Sequence, residues 1–324
     1  MDYCDSPVAD YSTLLDDNQK FPTIWEYKLK ESGVVRQSSV FPTVRSHSQR
    51  PRSTKQILIL GSNYTHDDSR TFTVCSKMTL EGAENDAEAL KTTLRRQGYL
   101  THDIINNELD RSTVLRKISN FLAFSYPGDI RIIVFTGHAY TQSTQPMIVP
   151  PCCPTKESAI SPELWEQTVR DNARAGVIVL SIFANCYAGG FMQQDHLLSQ
   201  LDNQLPFTQP PNLDTREPIF LTFASSLLEE CSFESPVAGW HTHDAIRVAD
   251  HFLHALNLTA SSPLVNNWGA FIAALENNFR RTRERCFTDP DDIIKNPQTP
   301  KLTYSCLPPF STLFPAYTRN TLHI

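Results

Sequence analysis

The sequence predicts an α/β fold in which a mostly parallel, six-stranded sheet is covered by helices on both faces, forming a three-layer sandwich. Two short, mostly apolar runs at residues 56–61 and 130–135 are typical of buried parallel strands. Segments with helical periodicity lie between such runs, and this alternation favours strands joined by crossover helices. Because the chain is 40% hydrophobic and 20% charged, it has the composition of a globular domain.

Six strands and four main helices follow from these patterns. Strands are predicted at 56–61, 99–105, 130–135, 176–184, 218–224 and 301–306. Helices are predicted at 80–98, 110–124, 161–169 and 267–279. In a sheet of this kind, binding sites form beyond the carboxyl ends of the strands, so the residues that follow each strand are the candidates for function.

Several helix ends carry recognisable signals. Gly98 follows the first helix as a C-terminal cap, and Ser161 with Pro162 forms the N-cap and first position of the third. The side chains expected to face inward from the first and last of these helices are Ala83, Ala87, Leu90, Leu94, Trp268, Phe271, Ile272, Leu275 and Phe279.

The chain divides into four parts by composition. Residues 1–54 are polar and predict a mobile leader or pro-segment, with a short dockable piece near Trp25. Residues 55–190 form a large region that contains the candidate site. Residues 191–216 are polar and Pro-containing, as expected of an exposed linker, and residues 217–324 form a small region of the same domain.

Composition also excludes several classes of function. The net charge of −6 does not favour nucleic-acid binding, and no stretch has the length of a membrane span. The acidic start of the chain lacks the apolar core of a secretory signal. The eight cysteines are therefore expected to be thiols of a cytoplasmic protein, with a nuclear location as the alternative.

Two chemically capable residues follow neighbouring buried runs. His138 comes after the third predicted strand and Cys186 after the fourth, 48 positions later. A nearby imidazole favours the thiolate and can protonate a leaving amine, and backbone N–H groups at Ala139 and Cys186 are positioned to stabilise an oxyanion. Taken singly, each residue is more often structural. Taken together at strand ends, they favour a catalytic dyad over a buried thiol and a structural histidine.

At these residues the sequence resembles the caspase-fold cysteine peptidases, most closely the metacaspases, and favours the fungal type. The motifs that carry the resemblance are ILGSNY at 59–64, LEGAENDA at 80–87, TGHA at 136–139 and ANCYAGG at 184–190. Their order and spacing match the family from about residue 56 to residue 225. The resemblance implies a caspase-like three-layer sandwich.

The resemblance also implies the roles of individual residues. His138 is expected to act as general base and acid, and Cys186 as the nucleophile that forms an acyl-enzyme. Asp86, Ala184 and Ser225 occupy positions that bind substrate in the family, with an extended peptide pairing along the strand near Ser225. The expected function is thus a metacaspase-like endopeptidase acting on proteins or peptides in cytosolic stress or cell-death signalling.

Four departures from the family pattern affect this expectation. Ala139 replaces a Gly, and its methyl group narrows the space beside the expected oxyanion position. Ala83 replaces a small Cys. Ala184 replaces an Asp that, in the family, helps to bind the basic side chain of the substrate. Of the two acidic residues that bind this side chain in the family, only Asp86 is kept, so the expected preference for Arg or Lys is weaker. Ser161 and Pro162 stand where calcium-dependent members carry an Asp pair, so no metal or cofactor is expected.

Two alternatives remain open on the sequence alone. Asp86 lies early in a helix, where a carboxylate also favours the helix dipole, and this structural role is as well supported as substrate binding. The departures favour a pseudoprotease, a caspase fold kept as a regulatory interaction module, whereas the intact pair of His138 and Cys186 favours the enzyme. The expected state is a monomer.

Two further groups of residues suggest other functions only weakly. His251 and His254 are three positions apart in a histidine-rich segment that also contains His241 and His243, but the spacing is weak evidence for a metal site and favours a partly exposed helix. The basic run at residues 280–286 is interpreted as a helix C-terminus rather than a nucleic-acid contact.

Overall fold

A computed structural model describes residues 53–64, 79–105, 109–150, 157–198, 217–237, 247–287 and 289–315. The chain divides into two compact units, residues 1–50 and 51–324, and every described residue lies in the second. The predicted leader up to residue 52, the linker from residue 199, and His241 and His243 lie outside the described residues.

The strands of the second unit form one central sheet and two hairpins. They are β1 Lys55–Gly61, β2 Leu100–Ile105, β3 Ile130–Thr136, β4 Ala139–Gln142, β5 Gln145–Ile148, β6 Ile178–Ala184, β7 His196–Leu197, β8 Ile219–Ala224, β9 Glu234–Val237, β10 Arg247–Asp250 and β11 Lys301–Tyr304. The helices are α1 Ala83–Arg96, α2 Arg111–Ala123, α3 Pro162–Asn172, α4 His251–Ala260, α5 Trp268–Cys286, α6 Pro290–Lys295 and α7 Phe310–Leu313.

The central sheet has seven strands in the order β2-β1-β3-β6-β8-β11-β7. The first five are parallel, whereas β11 is antiparallel to β8 and β7 is antiparallel to β11. All six predicted strands are present, and the mostly parallel sheet is confirmed. The predicted count of six was one too low.

The additional strand, β7, lies inside the segment that was expected to be an exposed linker. Leu197 pairs with Thr303 of β11, and the ring of His196 lies 5.3 Å from that of Tyr304. The next residue, Leu198, is buried in the core. A strand of two residues leaves no periodicity in a sequence, so pairing with β11 rather than local pattern determines it.

Two apolar layers hold helices against the two faces of the sheet. On one face Ile57 and Ile59 of β1 pack with residues of α1, α4 and α5. On the other face Leu58 and Leu60 pack with residues of α2 and α3. Because β3 is buried along its whole length, its mostly apolar sequence is the expected pattern for a strand covered on both sides. The three-layer prediction is confirmed.

The helix signals in the sequence have the predicted effects. Ser161 accepts a hydrogen bond from the N–H of Leu164 and caps α3, and Gly98 has φ +86° after the end of α1. The expected inward face of α1 is buried, as is that of α5, although Ile272 is only partly buried.

The expectation of a partly exposed helix around His251 and His254 was wrong. Both residues lie in α4, and their exposed fractions are 1% and 6%. The physical reason is that α4 is apolar around most of its circumference, and it packs against both α1 and α5. The other buried side chains of α4 include Phe252, Leu253, Ala255 and Leu256. No helix in the described part of the chain is long and apolar enough to cross a membrane.

Candidate active site

The register of β3 and β6 determines where the two candidate catalytic residues lie. Thr136, the last residue of β3, pairs with Ala184, the last residue of β6, and the N–H of Gly137 donates to the carbonyl of Ala184 over 3.3 Å. His138 and Cys186 therefore each lie two residues beyond a paired strand end. The sheet brings them to equivalent positions at the same edge, as the strand-end rule predicts.

His138 is half-buried, and its backbone is hydrogen-bonded on both sides. Its N–H donates to the hydroxyl of Tyr64 over 3.0 Å, and its carbonyl accepts from the N–H of Val149 over 3.0 Å. The ring of Tyr64 lies 4.7 Å from the imidazole, at an interplanar angle of 52°. Three contacts thus restrain the candidate base, and two of them come from one side chain.

The turn that carries Cys186 is held by two serines at the end of β8. The carbonyl of Asn185 accepts hydrogen bonds from the hydroxyls of Ser225 and Ser226, at 3.1 and 3.3 Å. The side-chain amide of Asn185 donates to the carbonyl of Cys186 over 2.7 Å. Because Ser225 and Ser226 are both fully buried, this support belongs to the core, while Cys186 itself is partly exposed.

The chain turns sharply after the nucleophile. Tyr187 has φ +60°, a left-handed conformation that is uncommon for a residue with a side chain, and its N–H donates to the carbonyl of Glu230 over 2.8 Å. A Cβ at Gly189 would lie 2.9 Å from the carbonyl oxygen of Ser226. The small residues of this turn therefore allow the close approach of two backbone segments.

Ser232 forms the side of the site that faces the thiol. Its carbonyl oxygen lies 3.8 Å from the Sγ of Cys186 and accepts from it. The hydroxyl of Ser232 donates to Asp250 and accepts from the side-chain amide of Gln298, and the same amide donates to the carbonyl of Ser225. Gln298 thus links Ser232 by hydrogen bonds to Ser225, at the end of β8.

The hairpin of β4 and β5 orients the backbone at Ala139. Ala139 pairs with Ile148, and the N–H of Val149 donates to the carbonyl of His138. In an antiparallel ladder this pattern makes Ala139 and Ile148 a non-hydrogen-bonded pair, so the N–H of Ala139 points away from β5. That group is therefore not used by the hairpin, which an oxyanion donor requires.

Asp86 is buried in α1, with an exposed fraction of 2%. One carboxyl oxygen, Oδ2, accepts from the backbone N–H of Asp250 over 3.1 Å, while the other, Oδ1, is buried and has no hydrogen-bond partner among the described residues. Burial, followed by the nearby charges of Asp250 and Glu234, raises the pKa of Asp86 well above its usual range.

Glu234 takes the helix-terminus role that the sequence also allowed for Asp86. Its two carboxyl oxygens accept from the N–H groups of Glu81 and Gly82, each over 3.0 Å, just before the first turn of α1. A carboxylate at this position satisfies donors that a helix leaves without partners. Burial nevertheless raises the pKa of Glu234 above its ordinary value.

A third carboxyl group, Asp250, joins the other two and reaches the site. It caps α4 by accepting from the N–H groups of Phe252 and Leu253, and burial raises its pKa to about 6. No Lys or Arg of the described residues forms an ion pair with Asp86, Glu234 or Asp250. We call these three residues the acidic cluster. Contacts lead from it through Ser232 to Cys186.

The other two residues predicted to bind substrate lie below the surface. Ala184 is buried against the α1 side of the sheet. Ser225 is fully buried, its N–H donates to the carbonyl of Phe183 over 2.9 Å, and its carbonyl accepts from Gln298 over 3.1 Å. Its backbone groups are thus already hydrogen-bonded. A substrate role for Ala184, Ser225 and Asp86 stays a prediction.

Several residues that shape the site were not predicted from the sequence. Tyr64 belongs to the motif at 59–64 but was not predicted to be a site residue. It follows β1, the neighbour of β3, so the rule that sites form beyond the carboxyl ends of strands also indicates Tyr64. Glu234, Asp250 and Gln298 reach the site from β9, β10 and the segment before β11. Nothing in the local sequence signals these three, because only tertiary packing brings them there.

Comparisons with known proteins identify the family and the fold of the chain. Residues 54–286 match the family model of the peptidase C14 caspase domain. Among solved structures, protein GSU0716 from Geobacter sulfurreducens matches with a TM-score of 0.50 and 16% identity. That match covers 81% of this chain and 97% of the other, and at this identity it supports the fold alone. A search of curated protein sequences finds no significant match.

The family match extends from just before β1 to the end of α5, so it contains both candidate catalytic residues and the whole acidic cluster. It covers well over half of the chain. This chain belongs to the caspase-domain family of cysteine peptidases.

Proposed function

We propose that the chain is an active metacaspase-like cysteine endopeptidase with His138 and Cys186 as its catalytic dyad. The observation that carries the proposal is the paired register of β3 and β6, which sets both residues two positions beyond neighbouring strand ends. Two residues held by adjacent strands keep their relative position without depending on a loop. The half-exposed thiol and the buried serine support beneath it add to this argument.

The proposed reaction uses the groups already described. His138 takes the thiol proton, and the Cys186 thiolate attacks the carbonyl carbon of the scissile amide. The N–H groups of Ala139 and Cys186 stabilise the tetrahedral oxyanion, and the imidazolium then protonates the leaving amine. Water, deprotonated by His138, hydrolyses the resulting thioester and regenerates the thiol. The methyl group of Ala139 leaves this scheme intact because the donor is a backbone group.

We propose that the substrate presents a basic side chain to the acidic cluster. Three carboxyl groups with raised pKa values and no described cationic partner favour a ligand that brings positive charge. Glu234 and Asp250 thereby compensate for the Asp that Ala184 replaces. Glu234 is the partly exposed member of the cluster, so it is the carboxylate we expect a substrate to meet. The substrates are proteins or peptides.

We propose that catalysis needs no calcium. Ser161 stands where calcium-dependent relatives carry an Asp, and its hydroxyl is already used to cap α3, while Pro162 has no ligand atom in its side chain. No group of three or more His, Cys, Asp or Glu side chains in the described ranges has a metal-binding arrangement. These residues do not fit the family's calcium ion.

The proposed state is a monomer in the cytoplasm or nucleus. Support for the monomer comes from β7, which covers part of the sheet edge beyond β11 and so shortens the edge available for pairing with a second copy. The proposed role in stress or cell-death signalling derives from the family resemblance alone.

The rival function is a pseudoprotease that acts as a regulatory interaction module, and the replacements at Ala139 and Ala184 are the observations that favour it. A hydrolysis assay separates the two. Fluorogenic peptides with a basic, an acidic or an apolar residue before the reporter are incubated with the wild type and with Cys186→Ala, His138→Ala and Cys231→Ala.

The control residue Cys231 is a half-buried thiol whose Sγ lies 3.9 Å from the hydroxyl of Tyr187, so it tests the same neighbourhood without the nucleophile. Turnover of basic peptides that is lost in Cys186→Ala and His138→Ala but kept in Cys231→Ala supports the enzyme. Absence of Cys186-dependent turnover on every peptide contradicts the enzyme and supports the pseudoprotease.

A further inference from the structure

Tyr64 lies three residues beyond the end of β1, and β1 is a neighbour of β3 in the sheet. Its backbone has φ +50°, which is unusual for a residue with a side chain, and its N–H donates to the hydroxyl of Ser62 over 2.9 Å. This bend buries the phenol, whose exposed fraction is 4%. The chain thus adopts an uncommon conformation that places one tyrosine beneath the active-site edge.

The hydroxyl of Tyr64 links two backbone segments. It accepts from the N–H of His138 over 3.0 Å and donates to the carbonyl of Val149 over 2.6 Å. The N–H of Val149 in turn donates to the carbonyl of His138. These three hydrogen bonds form a closed circuit around the backbone of His138, and all three have ordinary lengths.

The same side chain also contacts the imidazole. The rings of Tyr64 and His138 lie 4.7 Å apart between centroids, within the range of favourable aromatic contacts. A Cβ at Gly137 would lie only 2.6 Å from the Tyr64 hydroxyl. Glycine at this position therefore permits the approach of Tyr64 to the backbone just before the candidate base.

We infer that Tyr64 is a positioning residue that holds His138 in the orientation the dyad needs. The inference rests on the proposed function, since it concerns the same histidine. Tyr64 restrains the backbone through its hydroxyl and the imidazole through its ring. By accepting from the N–H of His138, Tyr64 fixes the peptide plane between Gly137 and His138. The next plane, which carries the N–H of Ala139 as the proposed oxyanion donor, is held through the carbonyl of His138 by Val149, and the carbonyl of Val149 in turn accepts from Tyr64. Tyr64 acts through His138 and does not touch the reacting atoms.

The test compares Tyr64→Phe with a matched control, Tyr99→Phe. Tyr99 is also a buried tyrosine, with an exposed fraction of 2%, and its hydroxyl also donates to a backbone carbonyl, that of Leu313, over 2.8 Å. Each variant therefore loses one buried hydroxyl and keeps its ring. Only the hydroxyl of Tyr64 contacts the candidate base.

The readout is the rate of alkylation of Cys186 by iodoacetamide, followed by peptide mass spectrometry at several pH values. This rate follows the thiolate fraction and needs no turnover. We expect Tyr64→Phe to slow alkylation near neutral pH and to shift the profile toward that of His138→Ala, whose thiol approaches the ordinary pKa of about 8.5. Where peptide hydrolysis is measurable, we expect kcat to fall on the order of ten- to a hundredfold with KM little changed.

A double variant separates positioning from general structural support. If Tyr64 acts through His138, adding Tyr64→Phe to His138→Ala leaves the alkylation rate and its pH profile unchanged. The inference is overturned if Tyr64→Phe matches the wild type, if Tyr99→Phe slows alkylation equally, or if Tyr64→Phe slows the His138→Ala variant by the same factor as the wild type.

Failure of the proposed function has a different signature. If His138→Ala leaves the pH profile of Cys186 alkylation unchanged, there is no dyad, and both the proposed function and the positioning role are contradicted. If His138 affects the profile and Tyr64 does not, only the positioning role of Tyr64 fails.

Discussion

We expect two buried histidines, His251 and His254, to lower the stability of the fold in mild acid. Burial, followed by the charges of Arg283 and His254, lowers the pKa of His251 from 6.5 to about 3. Burial, followed by the charge of Arg285, lowers that of His254 from 6.5 to about 4. Both rings are thus neutral in the folded protein at pH 5, whereas in the unfolded chain both are mostly protonated.

The sign and size of the effect follow from proton linkage. Below pH 6.5 the unfolded chain takes up protons that the folded chain does not, so the free energy of unfolding falls as the pH falls. At about 1.4 kcal/mol per pH unit, lowering the pH to 5 costs about 2 kcal/mol for each histidine and about 4 kcal/mol for both. The raised pKa values of Asp86, Glu234 and Asp250 act in the opposite direction, because those groups bind protons more readily when folded.

The assay therefore compares variants rather than the wild type alone. Urea unfolding is measured at pH 7 and pH 5 for the wild type, for His251→Gln with His254→Gln, and for His102→Gln, whose ring is exposed. We expect the stability change between the two pH values to differ by about 4 kcal/mol between the wild type and the double variant. The exposed control should match the wild type. Equal pH dependence in the wild type and the double variant would refute the reasoning.

Two further predictions concern the nucleophile turn and the acidic cluster. Gly189→Ala places a Cβ 2.9 Å from the carbonyl of Ser226, so we expect a lower melting temperature and slower alkylation of Cys186, whereas Gly269→Ala, in a less crowded part of α5, should be neutral or stabilising by up to about 1 kcal/mol. Equal effects of the two substitutions would contradict the close approach. Glu234→Gln should reduce cleavage of basic peptides relative to apolar ones, and an unchanged ratio would remove Glu234 from substrate selection.

The fold was predictable where local pattern and tertiary environment agree. The strands β1, β3, β6 and β8 are mostly apolar because both faces of the sheet are covered, and such runs are visible in the sequence. The short strand β7 was not predictable, since two residues carry no period.

The burial of α4 was not predicted, because the helix contains two histidines. A helix with several polar residues is usually expected to be partly exposed, but the packing of α4 against two other helices buries His251 and His254 as neutral rings. Six of the other eight residues of α4 are apolar, and this composition indicates burial more strongly than the two histidines indicate exposure.

The positions of the two candidate catalytic residues in the fold were predictable from the sequence, whereas their surroundings were not. His138 and Cys186 follow strands whose parallel register brings their ends together, so the strand-end rule found both. The residues that orient and surround them came from elsewhere in the chain. Only tertiary packing brings Ser232 to the thiol and Asp250 to Ser232, and no spacing in the sequence relates these residues to Cys186.

Covalent trapping of the nucleophile tests directly whether Cys186 and His138 form a catalytic dyad. Peptide probes with an electrophilic carbonyl group and a basic, acidic or apolar recognition residue are added with and without calcium, and adducts are located by mass spectrometry. We expect a calcium-independent adduct on Cys186 with the basic probe, which is diminished in His138→Ala and absent in Cys186→Ala. No adduct on Cys186 with any probe, with or without calcium, would contradict this expectation.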